Sequence, residues 1–184
     1  TAYYPGQEGG IAIADVLFGD FNPAGRLPFS VPRSVGQIPL YYNKKAPQSH
    51  DYVEMSASPL YPFGYGLSYT SFDYSDLHLS ALMPRSFEIS FKVRNTGKYD
   101  GEEVAQLYLR DEYASVVQPL KQLKHFARFY LKRGEEREVK FILSEEDFSL
   151  VDRNLKKIVE PGTFQIMIGA ASNDIRLQTK VEIK

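Results

Sequence analysis

From Phe87 onward, apolar and polar positions alternate along most of the chain. Phe87, Ile89, Phe91 and Val93 are separated by polar or charged neighbours, and the turn-forming stretch NTGKYDG follows. Ala105, Leu107 and Leu109 resume the alternation, with Val104 and Tyr108 giving the opposite face some apolar character. Further runs of the same period are Ala127/Phe129/Leu131, Val139/Phe141/Leu143, Phe164/Ile166/Ile168 and Leu177/Val181/Ile183. A period of two places each set on one face of a strand. Turn chemistry stands between the runs, as Lys132-Arg133-Gly134-Glu135, Pro161-Gly162 and Ser172-Asn173-Asp174. Strands recurring roughly every 10–20 residues predict an antiparallel β-sandwich of about 100 residues. Ser144 to Asp147 predicts a short helical turn between two strands, with Ser144 as its N-cap and Asp147 at the third position.

Residues 1–70 follow another rule. Turn pairs crowd this half: Pro5-Gly6, Gly9-Gly10, Asn22-Pro23, Ala24-Gly25, and the stretch from Pro62 to Gly66. Ile11, Ala14, Leu17 and Phe18 fall on one face of a helix from Gly10 to Phe18, and Gly19 stands where a left-handed C-cap belongs. Arg26 to Val31 predicts a short strand between Pro28 and Pro32, while residues 41–60 are irregular by composition. One helix and one or two strands bury little surface, so this half is expected to be an incomplete α/β segment. The division expected is residues 1–70 for that segment and its linker, and residues 71–184 for the sandwich.

Composition narrows the function classes. With 43% hydrophobic residues in 184, a globular core is well supplied. A formal charge of −1 lacks the clustered Lys and Arg that a nucleic-acid surface needs. There is no apolar run of about 18 residues to span a membrane. The absence of cysteine removes disulfides, thiolate catalysis and cysteine-based metal sites. A chain opening on TAYYPG, without a starting Met or the features of a leader, is expected to be preceded by further sequence.

Candidate chemistry is sparse. His50, His78 and His125 show no metal-ligand spacing, and no phosphate-loop, dinucleotide or G-x-S-x-G motif occurs, so neither metal nor cofactor is expected. Tyr61, Tyr65 and Tyr69 are candidates either for stacking on a sugar or for packing anchors. Glycosidic hydrolysis needs two carboxylates across the scissile bond. Glu8 with Asp15 or Asp20 is the set on the turn-rich half that offers them. The simpler reading gives Glu8 a stabilising place beside a helix N-terminus, with Gly9 and Gly10 allowing close backbone packing. Glu135-Glu136-Arg137-Glu138 is a solvated turn and strand edge.

The longer motifs carry a resemblance. YPGQEGGIAIADVLFGDFNPAGRLPFSVP resembles the closing stretch of the second domain of family 3 glycoside hydrolases, the β-glucosidases and β-xylosidases. PLYPFGYGLSYTSF is similar to the segment leading into their fibronectin type III-like domain. NTGKYDGEEVAQLYLRD, SVVQPLKQLKHFARFYLKRGE and VEPGTFQIMIGAASNDIRL resemble that domain, in order. Family members often carry Trp where Tyr3 stands and Gly where His125 stands, and the bulkier His125 is expected to alter the local strand twist.

The resemblance implies a parent enzyme that hydrolyses terminal β-linked sugars with retention, through a covalent glycosyl-enzyme. It places the nucleophile on a barrel domain and the acid/base Glu upstream of PGQEGG. No catalytic residue, cofactor or metal then falls on this chain, and Glu8 is structural. The implied partners are the upstream barrel and α/β domains and a β-linked glycoside, and the implied compartment is periplasmic or secreted. Ile11, Leu17, Phe18, Leu27, Phe29 and Val31 are expected to face a sheet outside the chain, with mobility or self-association of the isolated chain as the consequence. The alternative is an independent carbohydrate- or protein-binding sandwich module. A further alternative, a self-contained hydrolase, would use Glu8 and a nearby Asp.

Overall fold

A computed structural model describes residues 2–45 and 51–184. Seven long strands build two antiparallel sheets. Strands β1 (Phe72–Met83), β2 (Ser86–Asn95) and β5 (Glu136–Leu143) form one, in the order β1-β2-β5. Strands β3 (Gly101–Asp111), β4 (Gln122–Leu131), β8 (Gly162–Ala171) and β9 (Asp174–Ile183) form the other, in the order β4-β3-β8-β9. A separate two-stranded ribbon pairs β6 (Leu150–Val151) with β7 (Lys157–Ile158). The three-plus-four arrangement is that of an immunoglobulin-like sandwich.

The alternating apolar sets meet in its centre. Ile89, Val93, Leu107, Leu131, Leu143, Ile166 and Ile168 are wholly buried, and Phe91, Phe129, Phe141 and Phe164 interleave with them. The predicted turn at Ser144 is present as one 3₁₀ turn, Glu145–Phe148, with the Ser144 amide donating to Asp147 Oδ2 at 2.8 Å. Its Phe148 ring drops into the core edge-on to both Phe87 and Phe164.

Strand β1 is absent from the period-two reading, and its geometry explains why. Ser75 pairs with Lys92 but His78 pairs with Ser90, so β1 carries one extra residue. Asp76 takes φ 53° there. The bulge shifts the phase: Phe72 and Tyr74 face inward before it, Leu77 and Leu79 after it. A strand that changes phase halfway shows no single alternation.

Helix α1 spans Gly9–Phe18 and ends at Gly19, whose φ of 88° is the left-handed cap expected there. Gly19 and Phe21 amides both donate to the Asp15 carbonyl, at 3.1 and 3.0 Å. The strand expected over Arg26–Val31 is instead an extended segment with one bridge, Val31 to Tyr61. Leu27 and Val31 donate to Tyr65 and Tyr61, but Pro28 and Pro32 have no amide hydrogen to continue a ladder. This arm lies on the outer face of the four-stranded sheet. Tyr42 stacks on Phe63 with ring centres 4.0 Å apart and meets Tyr108 edge-on, while Gln106 donates to the Gly64 carbonyl at 3.3 Å.

Candidate functional site

The candidate acids converge on no cleft. Glu8 is exposed at the N-cap of α1, and its side chain makes no capping hydrogen bond. Its carbonyl accepts the first hydrogen bond of the helix, from the Ala12 amide at 3.1 Å. Asp15 is half-buried and Asp20 exposed beyond the cap. Glu8 and Asp15 stand two helical turns apart, about 10 Å along the axis. Two carboxylates serving a retaining mechanism sit about 5 Å apart. An open surface depression of about 530 Å³ lies elsewhere, walled by Lys45, Val117, Pro119, Leu150 and Lys157. Among the described residues, no three His, Cys, Asp or Glu side chains gather as a metal site requires.

The histidines are dispersed. His50 lies outside the described residues, and His78 is exposed on β1. His125 sits at a bulge of β4, where its partner is Leu107 while Leu123 pairs with Tyr108. Its ring stacks on Phe141 at 6.0 Å, and Nε2 is buried without a hydrogen-bond partner, 3.5 Å from Asp147 Oδ1. Tyr61 and Tyr65 pack ring on ring at 5.1 Å. Tyr69 reaches α1, its hydroxyl donating to the Val16 carbonyl at 2.6 Å.

The polar groups of consequence join the arm to the sandwich. Glu103 is only 3% exposed and falls in phase with Ala105 and Leu107, so a carboxylate occupies an inward position. Arg26 comes from the arm to meet it, one guanidinium nitrogen lying 3.0 and 3.1 Å from its two oxygens. The Tyr74 hydroxyl donates to the same carboxylate at 3.2 Å. Burial, then the Glu103 charge, raise the Tyr74 phenol well above its ordinary range. Nearby, the wholly buried Asn95 accepts from Thr70 Oγ1 at 2.6 Å and donates to the Tyr99 and Leu131 carbonyls at 2.8 and 3.2 Å. Neither pair was singled out from the sequence. The signal was available: Glu103 and Asn95 each interrupt an apolar set at an inward position, which a polar residue tolerates only with partners.

The helix presents the opposite situation. Ile11 is 62%, Leu17 71% and Phe18 84% exposed, and Phe29 on the arm is 48% exposed. Contiguous apolar side chains left in water mark an interaction surface.

The described residues thus form a closed β-sandwich bearing an extended arm and an apolar helix. Comparison with known proteins identifies both parts. The Glycosyl hydrolase family 3 C-terminal domain matches residues 1–69, and the Fibronectin type III-like domain matches residues 103–172. The periplasmic β-glucosidase of Salmonella typhimurium is 46% identical over 95% of this chain, which spans 25% of that protein. A β-xylosidase of Formosa agariphila is 44% identical over 96% of the chain and 25% of its own length. Among solved structures, a β-glucosidase of Erythrobacter marinus superimposes with a TM-score of 0.93 at 43% identity, over 100% of this chain and 25% of that one. The Listeria innocua β-glucosidase, determined with laminaribiose, gives 0.92 at 37% identity, over 100% and 27%. The chain belongs to the C-terminal part of the family 3 glycoside hydrolases, and it spans about a quarter of the length of the curated relatives it matches. No helix among the described residues is long and apolar enough to cross a membrane.

Proposed function

We propose that this chain is the non-catalytic C-terminal part of a retaining β-glycosidase acting on terminal β-linked sugars, with both catalytic carboxylates carried outside it. Residues 1–70 then form the end of an α/β layer and its linker, and residues 71–184 a sandwich that holds that layer in place. The observation that carries this reading is the apolar face of α1, with Leu17 and Phe18 at 71% and 84% exposure. In the proposed parent that face is covered by the remainder of the α/β layer, and the barrel domain lies beyond. The exposure of Glu8 at the N-cap, about 10 Å along the helix axis from Asp15, supports a structural role for it. The relatives' names support β-linked glycosides as the parent's substrates, and the Salmonella relative's name supports a periplasmic or secreted site.

Rigid attachment matters for such an enzyme, because displacing reacting groups by about an ångström costs about a hundredfold in rate. The arm supplies that attachment through Arg26, Tyr42 and Tyr69. The test uses sedimentation velocity over a range of concentrations, with a dye that fluoresces on exposed apolar surface. The unsubstituted 184-residue chain is expected to bind the dye and to associate as concentration rises. Phe18→Asp should reduce both without lowering the unfolding midpoint. A strictly monomeric, dye-silent 184-residue chain would contradict an exposed docking face.

A further inference from the structure

Where the arm crosses the outer face of the four-stranded sheet, it leaves an opening of about 270 Å³. Tyr41, Ser30 and Ser58 of the arm line one side, and Lys121 and Asn173 of the sandwich line the other, with Lys44 at the rim. The Leu120 amide donates to the Lys44 carbonyl at 3.0 Å, which fixes the two lysine backbones near each other. Lys121 is half-buried, and Nζ donates to the Ser172 carbonyl at 2.5 Å. An ammonium has three donors, and among the described residues this carbonyl is its one recorded acceptor.

Among the described residues, neither Lys44 nor Lys121 forms an ion pair, although ten Lys or Arg pairs with carboxylates occur elsewhere. Residues 46–50 are Ala-Pro-Gln-Ser-His and bring no carboxylate. Asp51 also lines the opening, its Oδ1 accepting from the Ala57 amide at 2.8 Å and from Ser56 Oγ at 3.3 Å, so two ammonium groups and one carboxylate leave the opening with a net positive charge. Burial, and then the charge of Lys44, hold the Lys121 ammonium below the ordinary lysine range. The excess of positive charge at this partly desolvated opening is one that an anion beside the two lysines would offset.

We propose that this opening binds a small oxyanion, a carboxylate or a phosphate, between the ammonium groups of Lys44 and Lys121. The exposed Tyr41 ring and the Ser30, Ser58 and Asn173 side chains supply a flat face and hydrogen-bonding groups for whatever carries that oxyanion. Two sources share the chemistry: an acidic sugar, such as a hexuronate, and free inorganic phosphate.

The test is an amide-resolved NMR titration of the 184-residue chain with sodium glucuronate, sodium phosphate and neutral glucose at constant ionic strength. Saturable shifts confined to residues 41–44, 120–122 and 172–173 are expected with glucuronate or phosphate, and none with glucose. The oxyanion that saturates at the lower concentration identifies the source. Lys121→Gln and the rim variant Lys44→Gln should each weaken binding about tenfold, the loss of one charge-assisted hydrogen bond. The Lys121 ammonium pKa should rise on saturation. The rim variant removes an exposed side chain and so keeps the test valid if Lys121→Gln misfolds. Linear, non-saturating shifts with both oxyanions, an equal response to glucose, or unchanged affinity in Lys44→Gln would overturn the proposal.

Discussion

Removing Arg26 should loosen the arm from the sandwich far more than its place on a loop suggests. Its guanidinium meets Glu103 at 3.0 Å, and the two side chains are only 11% and 4% exposed. Arg26→Met leaves the carboxylate inside the sandwich end with the Tyr74 hydroxyl as its remaining recorded partner. Breaking a buried pair by removing one member costs about 3–5 kcal/mol. The seam lies at the margin of the core, where water can reach Glu103 once Arg26 is gone, so the lower end, about 3 kcal/mol, applies here. That corresponds to roughly a hundredfold rise in the open arm, at about 1.4 kcal/mol per factor of ten.

Hydrogen exchange reads this locally. The Leu27, Val31 and Gly64 amides donate to Tyr65, Tyr61 and Leu27 carbonyls at 2.9, 2.8 and 2.8 Å, and they should lose protection by about that factor. Amides of β2 should change little if opening is local. Replacing both partners, as Arg26→Met with Glu103→Leu, should recover most of the loss, because an apolar pair of similar volume is often neutral. Arm protection within about threefold of the parent in the single variant would refute the reasoning, as that is the ordinary range of surface substitutions. So would a double variant no better than the single one.

Further outcomes follow from the same structure. Gly64 holds φ 81°, and a Cβ there would lie 2.3 Å from Gln106 Oε1, so Gly64→Ala should cost about 1–3 kcal/mol in urea unfolding. Asn95→Ala removes the buried acceptor of Thr70 and the donor to Tyr99 and Leu131, and should cost about 2–3 kcal/mol by the same measurement. Hydrogen bonds from the Arg133 amide and then the Tyr130 hydroxyl hold the Asp100 carboxyl below its ordinary value. The folded pKa being the lower one, this stabilisation is complete above the unfolded value of about 3.9 and is lost as pH falls through the folded value. Comparing the acid limbs of unfolding for the parent chain and Asp100→Asn should show the variant with the shallower loss.

Much of this fold is legible along the chain because the sandwich repeats one rule. Each central strand has one face in the core, and a period of two reports that directly. Strand β1 escaped because the bulge at Asp76 changes its phase. The Arg26–Val31 strand failed for a local reason, since the prolines that bound the segment also interrupt its ladder. Arg26 with Glu103, and Lys121 beside Lys44, were not legible as pairs. Their members lie 77 positions apart in both cases, and only the folding of the arm over the sheet brings them together. Glu8 shows the converse: its sequence context offered a candidate acid, while the structure places it exposed at the N-cap of α1, about 10 Å along the helix axis from Asp15.

The central claim is that the carboxylates of hydrolysis lie outside this chain. The direct measurement is release of chromophore from β-glucoside and β-xyloside substrates by the highly purified 184-residue chain and its Glu8→Gln variant. The account predicts no turnover above the uncatalysed rate in either. Turnover by the parent chain that disappears in Glu8→Gln would contradict it and make Glu8 a catalytic acid.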